Sequence, residues 1–218
     1  MENIESTSLP AYPQALVSFN DAMRFAASRE SFEIKKTVLL ENGKESGTVY
    51  LVALRGTDSS FDRNDVLGIP VVLKSSLSMN NIYYDIVRKT ILETVPEGSS
   101  IVLIGHSLGG MIAQQIAADS DINSKFSLIN LLTIGSPFVK VKGRSCPLRR
   151  FADKADIIPW LFRSLKANLI TEKPVFKSNG YFGKPILAHT DSYRESDSWR
   201  VYDCFGVLNG GHVLVFEK

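Results

Sequence analysis

The chain has 218 residues, with 25 Lys and Arg against 23 Asp and Glu, a net charge of +2. That balance excludes a protein held to nucleic acid by phosphate contacts. Hydrophobic residues make up 44% and charged residues 22%, which excludes global disorder and allows one sizeable core, so a single domain over 1–218 is expected.

Residues 1–13 carry two prolines and no clear period, and are read as a loose arm. The start MENIESTSLPAYPQ has neither a basic n-region nor an apolar h-region. The expected location is therefore the cytoplasm, or outside by an export route that reads no Sec signal. No apolar stretch reaches the roughly 18 residues of a membrane helix. From Gln14 to Ser28, Ala15, Leu16, Phe19, Met23, Phe25 and Ala26 fall near helical spacing, which predicts an amphipathic helix. Ile34–Leu40 and Thr48–Arg55 are β-rich runs joined by Glu41-Asn42-Gly43-Lys44, a hairpin signal. The second run is nearly all apolar, as suits a strand buried on both faces.

Gly56 to Asn81 breaks the pattern with Ser, Asp and Asn around an apolar island at Val66–Leu73. Residues 57–81 are read as a loop or lid, with an ordinary core element as the other reading. Ile82 to Val95 carries a helical stripe that Pro96-Glu97-Gly98 ends. Ser100–Ile104 reads as a short buried strand, Gly109–Ala118 as a helix, and Ser127–Ile134 and Arg149–Ala152 as strands. This alternation predicts an α/β fold with a mostly parallel central sheet flanked by helices. Trp160–Leu169 reads as helical. Trp199–Phe205 and His212–Phe216 read as further strands.

The strongest chemical signal is Gly105-His106-Ser107-Leu108-Gly109-Gly110. It fits G-x-S-x-G, follows the buried run Ile101–Ile104, and opens a helix, which is the context a nucleophile elbow needs. A sharp strand-to-helix turn strains the serine backbone and pushes its hydroxyl above the sheet edge. The flanking glycines let strand and helix backbones nearly touch. The helix N-terminus aims free N–H groups at the site, and the Leu108 N–H is the natural first oxyanion donor. His106, beside the serine on the turn, is expected to point away from the reacting face of Ser107 and to be structural.

Four segments in order resemble a class 3 lipase, the fungal-lipase-like branch of the α/β-hydrolases. They are Val52-Ala53-Leu54-Arg55-Gly56-Thr57, the elbow Gly105–Gly110, Thr133-Ile134-Gly135-Ser136-Pro137, and Arg150-Phe151-Ala152-Asp153-Lys154-Ala155-Asp156-Ile157-Ile158-Pro159. The resemblance implies an α/β-hydrolase fold, with Thr57 as second oxyanion donor and Asp156 as triad acid. The chain departs from that family in lacking a tryptophan after Thr57, and it is short for it.

A serine needs an imidazole to take its proton, and the imidazole needs a carboxylate to hold its tautomer. In α/β-hydrolases the order is Ser, then Asp or Glu, then His. Asp156, in Asp156-Ile157-Ile158-Pro159, is the favoured acid and Asp153 the alternative. Of the three histidines, His189 and His212 follow the acid. His189 is placed in a polar loop with Tyr193 close behind, which resembles the base loop of lipase-like hydrolases. His212 heads the last apolar run and is the alternative base.

The expected activity is a serine carboxylester hydrolase, a lipase or phospholipase acting on acyl esters of lipids with transient contact to a membrane surface. The alternatives are a thioesterase or acyltransferase with the same triad, and a non-catalytic hydrolase-fold binding protein. Two cysteines, Cys146 and Cys204, are too few for a Cys/His zinc framework; one disulfide is the alternative, and free thiols in a reducing compartment are the simpler reading. Asp119-Ser120-Asp121 and Asp62–Asp65 read as helix-end and loop carboxylates. No metal, cofactor or nucleic-acid partner is expected.

Overall fold

The computed structural model describes residues 15–16, 32–41, 44–56, 82–160, 174–194 and 212–216. Its centre is a hairpin, β2 (Phe32–Glu41) and β3 (Lys44–Leu54), paired antiparallel from Phe32↔Leu54 to Glu41↔Lys44. β3 then pairs in parallel with β4 (Ser100–His106), β4 with β5 (Ser127–Ile134), β5 with β6 (Leu148–Asp153), and β6 with β7 (Val175–Lys177). On the other side of β2 lie β8 (His212–Phe216) and β1 (Ala15–Leu16), both antiparallel. The eight strands run β1-β8-β2-β3-β4-β5-β6-β7.

The parallel half explains the near-continuous apolar runs in the sequence. Leu51, Val52, Ala53 and Leu54 of β3 and Ile101, Val102, Leu103 and Ile104 of β4 are all buried. Successive side chains alternate faces, so each strand feeds two cores. Val52, Leu54, Ile101 and Leu103 pack with Val87, Ile91 and Val95 of α1 (82–94) and its end, and with Ile112, Ala113 and Ile116 of α2 (Leu108–Ile116). Leu51, Ala53, Val102 and Ile104 face the other way and pack with Leu132, Ile134, Phe151 and Tyr193.

A short helix, α3 (Ser120–Lys125), links α2 to β5. Its first free N–H groups, at Asp121 and Ile122, donate to Asp119 Oδ1 at 3.0 Å each. Asp119 Oδ2 also accepts Arg88 Nε at 2.9 Å and the Tyr84 hydroxyl, which ties α1 to the α3 cap. Arg88 reaches Asp121 as well. The Asp119-Ser120-Asp121 carboxylates are therefore helix-end groups.

Several expectations change. Ala15 and Leu16 are not helical but form β1, because β8 pairs with them through Ala15↔Val215 and Leu16↔Leu214. The rest of the helix expected over 14–28 lies outside the described residues. So do the arm 1–13, the loop or lid at 57–81, the strand expected over 199–205, Cys204, and all of 160–169 except Trp160, which closes a 3-10 turn (Ile158–Trp160). Cys146 is a free, buried thiol, and burial pushes its pKa up to about 11.

Candidate active site

The carboxyl ends of the parallel strands converge on Ser107. At the end of β4 the chain turns into α2 with Ser107 at φ 54°, ψ −123°, the one non-glycine residue with positive φ among those described. Such a conformation costs a non-glycine residue of order 1–3 kcal/mol and persists only where the surroundings impose it. Here they do. Ser107 N donates to Ile134 O at 3.0 Å, and Gly110 N donates to Ser107 O at 3.1 Å. A Cβ on Gly105 would stand 2.4 Å from the Gly109 carbonyl, and one on Gly109 would stand 2.2 Å from Leu54 O. Strand and helix thus touch backbone to backbone.

His189 comes from α4 (Pro185–Thr190), a six-residue helix with proline at its start. The sequence placed His189 in a polar loop; it sits instead in the last turn of this helix and is buried. Its Nε2 lies 2.9 Å from Ser107 Oγ and its Nδ1 2.9 Å from Asp156 Oδ2. A carboxylate only accepts, so Nδ1 carries the proton and Nε2 is free to accept from the serine hydroxyl.

Asp156 lies in the turn after β6 and is fully buried. Its Oδ1 accepts Ile158 N at 2.9 Å, and its Oδ2 accepts the Tyr193 hydroxyl at 2.6 Å besides His189. Tyr193 Oη itself accepts the Asp153 N–H at 2.9 Å. An amide N–H can only donate, so the phenolic proton is committed to Asp156. Burial, then the charge of Asp156, raises the Tyr193 pKa well above its usual 10.0, which keeps that proton in place. Gly135, at φ +56°, makes room for this group: a Cβ there would stand 2.8 Å from Tyr193 Cε2 and 3.0 Å from Asp156 Oδ2.

The two alternatives fall elsewhere. Asp153 is buried, but its Oδ1 accepts Ala155 N at 2.8 Å and its Oδ2 accepts Asn179 N at 3.2 Å. It folds the acid loop onto the segment after β7. The backbone of His212 pairs with Glu41, which pairs with Lys44 at the start of β3. β3 is 11 residues long, so at about 3.3 Å per residue His212 sits roughly 30 Å from the end of β3 beside Ser107.

Leu108 opens α2, and its N–H, in the first turn, has no acceptor within the helix. Thr57 lies outside the described residues. Its neighbour Gly56 runs past the elbow, where a Cβ would stand 2.8 Å from Ser107 Cβ.

Reasoning from sequence missed two members of the cluster. His106 lies against His189: its Nε2 is 3.2 Å from His189 O and the two rings stack at 4.9 Å. The period-2 alternation of β4 carries the signal, since it puts His106 on the face of Ile104, where Tyr193 packs. Tyr193 was noted only as a neighbour of His189, and its bond to Asp156 arises from the fold.

A mostly parallel sheet crossed by this elbow has the architecture of an α/β-hydrolase. A family model described as a PGAP1-like alpha/beta domain matches residues 74–144, which span β4, the elbow, α2 and β5. Among solved structures, the chain is similar to one titled "Crystal structure of M37 lipase", at 15% identity and a TM-score of 0.33, covering 83% of this chain and 71% of that one. No curated protein sequence matches the chain.

Proposed function

We propose that the protein is a serine carboxylester hydrolase acting on acyl esters of lipids. The observation that supports this best is the continuous chain Ser107 Oγ–His189 Nε2, His189 Nδ1–Asp156 Oδ2, at 2.9 Å in both links, with the serine on a strained elbow. Nucleophile, base and orienting carboxylate within hydrogen-bond reach are the signature of an activated hydroxyl.

In this reading His189 Nε2 takes the Ser107 proton as Oγ attacks the ester carbonyl carbon. The imidazolium is held by Asp156, which stays ionised. The carbonyl oxygen becomes an oxyanion facing the Leu108 N–H, with the Thr57 N–H as second donor; the closeness of Gly56 to Ser107 supports that second role. As the tetrahedral species collapses, the C–O bond to the alcohol breaks and His189 Nε2 returns the proton to the departing oxygen. Water then enters, gives a proton to Nε2 and attacks the acyl-enzyme, and the acid leaves as Ser107 regains its proton. Transient contact with a lipid surface belongs to the same proposal.

The test is hydrolysis of a panel of glycerides, phospholipids, acyl thioesters and short p-nitrophenyl esters. Turnover of oxygen esters that disappears in Ser107→Ala is the expected result. Preference for thioesters moves the assignment to a thioesterase. No turnover of any member, with no labelling by a fluorophosphonate, leaves a binding protein that keeps the elbow for its shape.

A further inference from the structure

We propose that His106 is a positioning residue for the base, anchoring the His189 main chain through Nε2–H and holding the His189 ring flat beneath its own. This deepens the hydrolase reading and rests on it for the kinetic part of its test.

The argument starts from the end of α4. The last carbonyls of a helix have no intrahelical donors and must find others. In α4, Leu187 O receives Asp191 N at 2.8 Å, and Ala188 O receives Ser192 Oγ at 2.7 Å. His189 O, the next carbonyl, faces His106 Nε2 at 3.2 Å. A carbonyl only accepts, so Nε2 carries a proton and His106 caps the helix end from another element, β4. A helix of six residues is too short to hold its own geometry. The position of its catalytic side chain therefore depends on such external ties.

The rings add a second constraint. His106 lies nearly parallel to His189, with an interplanar angle of 24° and centroids 4.9 Å apart. It also meets the Tyr193 ring in an edge-type contact, with centroids 5.9 Å apart and an interplanar angle of 67°. His189 can bond both Ser107 and Asp156 only while its plane contains both partners, and rotation about χ2 breaks both bonds together. The His106 face on one side restricts that rotation. Because His106 is fixed in turn by β4, which pairs through His106↔Ile134, nucleophile and base are referenced to the same strand end.

Three variants separate the two contacts. His106→Phe keeps a ring and loses the donor, His106→Gln keeps a donor and loses the ring, and His106→Ala loses both. On a soluble p-nitrophenyl ester, with rates divided by active sites titrated with a fluorophosphonate, His106→Ala lowers kcat about 10- to 100-fold, the scale of an ångström-level misplacement. KM stays within about twofold, and Phe and Gln each recover part of the loss. A role confined to stability would change the fraction of active protein and leave kcat per site alone.

The deciding readout needs no substrate. The proton NMR signal of His189 Nδ1–H, bonded to Asp156, stays sharp in the parent protein and broadens by exchange in His106→Ala, with His106→Phe and His106→Gln in between. An unbroadened signal in His106→Ala, or in both other variants should the alanine protein not fold, overturns the proposal whatever the kinetics. A parent protein with the sharp signal but no ester turnover sinks the hydrolase reading and leaves the positioning of His189 to be judged by the signal.

Discussion

Tyr193 and Asp156 share a hydrogen bond of 2.6 Å whose direction is set by a third group, the Asp153 N–H that donates to Tyr193 Oη at 2.9 Å. The carboxylate that faces His189 is thus held by a phenol that is itself held by the backbone of β6. Removing the hydroxyl in Tyr193→Phe takes away one of the three hydrogen bonds that hold Asp156 and leaves the buried Asp153 N–H without its acceptor. An unpaired buried donor costs about 1–3 kcal/mol. The expected outcome is a loss of that size in urea unfolding, together with a fall of about tenfold in kcat. A variant with parent stability and parent kcat shows that the brace carries no energy.

Asp153, at the end of β6, and Asp156, in the turn that follows, are both buried carboxylates, and their partners predict different phenotypes. Asp156→Asn offers an amide where His189 Nδ1–H needs an acceptor and favours the wrong tautomer, so kcat is expected to fall by about 10⁴. Asp153→Asn keeps an oxygen for only one of Ala155 N and Asn179 N and turns its NH2 toward the other donor, so stability drops while kcat per active site stays within a few-fold. Steady-state kinetics with active-site titration separates the two, and equal losses in kcat contradict the assignment of the acid.

The elbow could be read from the sequence because its chemistry is local. Gly105, Gly109 and Gly110 flank the serine at fixed spacing, and the run Ile101–Ile104 before it is apolar without interruption. The β2–β3 hairpin was legible for the same reason, through Asn42-Gly43 between two β-rich runs. β1 was not, because Ala15 and Leu16 fit a helical stripe equally well and only pairing with Val215 and Leu214, at the far end of the chain, makes them a strand. α4 was hidden by its length, since six residues show no period. The Tyr193 brace and the His106 stack were hidden because each joins segments about 40 or more residues apart, and sequence order says which residues follow one another, not which rings meet.

Gly109→Ala tests how tightly the elbow is built. The added Cβ would meet Leu54 O at 2.2 Å, with Arg55 O at 2.6 Å, and neither backbone can move without shifting β3. Overpacking of this kind costs about 1–3 kcal/mol or more. The variant is expected to lose cooperative thermal unfolding or to unfold well below the parent. By contrast, Gly47→Ala, where a Cβ meets nothing within 4 Å, should unfold near the parent. Similar melting temperatures for the two variants would speak against the close approach of α2 and β3.

Asp119 links α1 to the cap of α3, and its removal is expected to cost about 1–2 kcal/mol, as for other N-caps. Burial raises the Asp119 pKa, but the hydrogen bonds from Tyr84, Ile122 and Arg88 outweigh it and hold the pKa below its ordinary 3.8. A pKa lowered by folding contributes stability above the unfolded value and loses it as pH falls through the folded value. The difference in unfolding free energy between the parent and Asp119→Ala should therefore be full near pH 7 and shrink below about pH 4. A difference that is constant down to pH 3 contradicts the charge-assisted cap.

The most direct measurement of the central claim is covalent capture of Ser107 by a fluorophosphonate. An activated serine attacks phosphorus and expels fluoride, leaving a phosphonylated Oγ that mass spectrometry assigns to one peptide. The predicted result is one adduct per chain on the Gly105–Gly110 peptide. The adduct should be absent in Ser107→Ala. In His189→Ala it should form at least about 10³-fold more slowly, and in His212→Ala at the parent rate. Labelling elsewhere, no labelling of the folded protein, or a rate unchanged in His189→Ala would contradict a nucleophilic Ser107 served by His189.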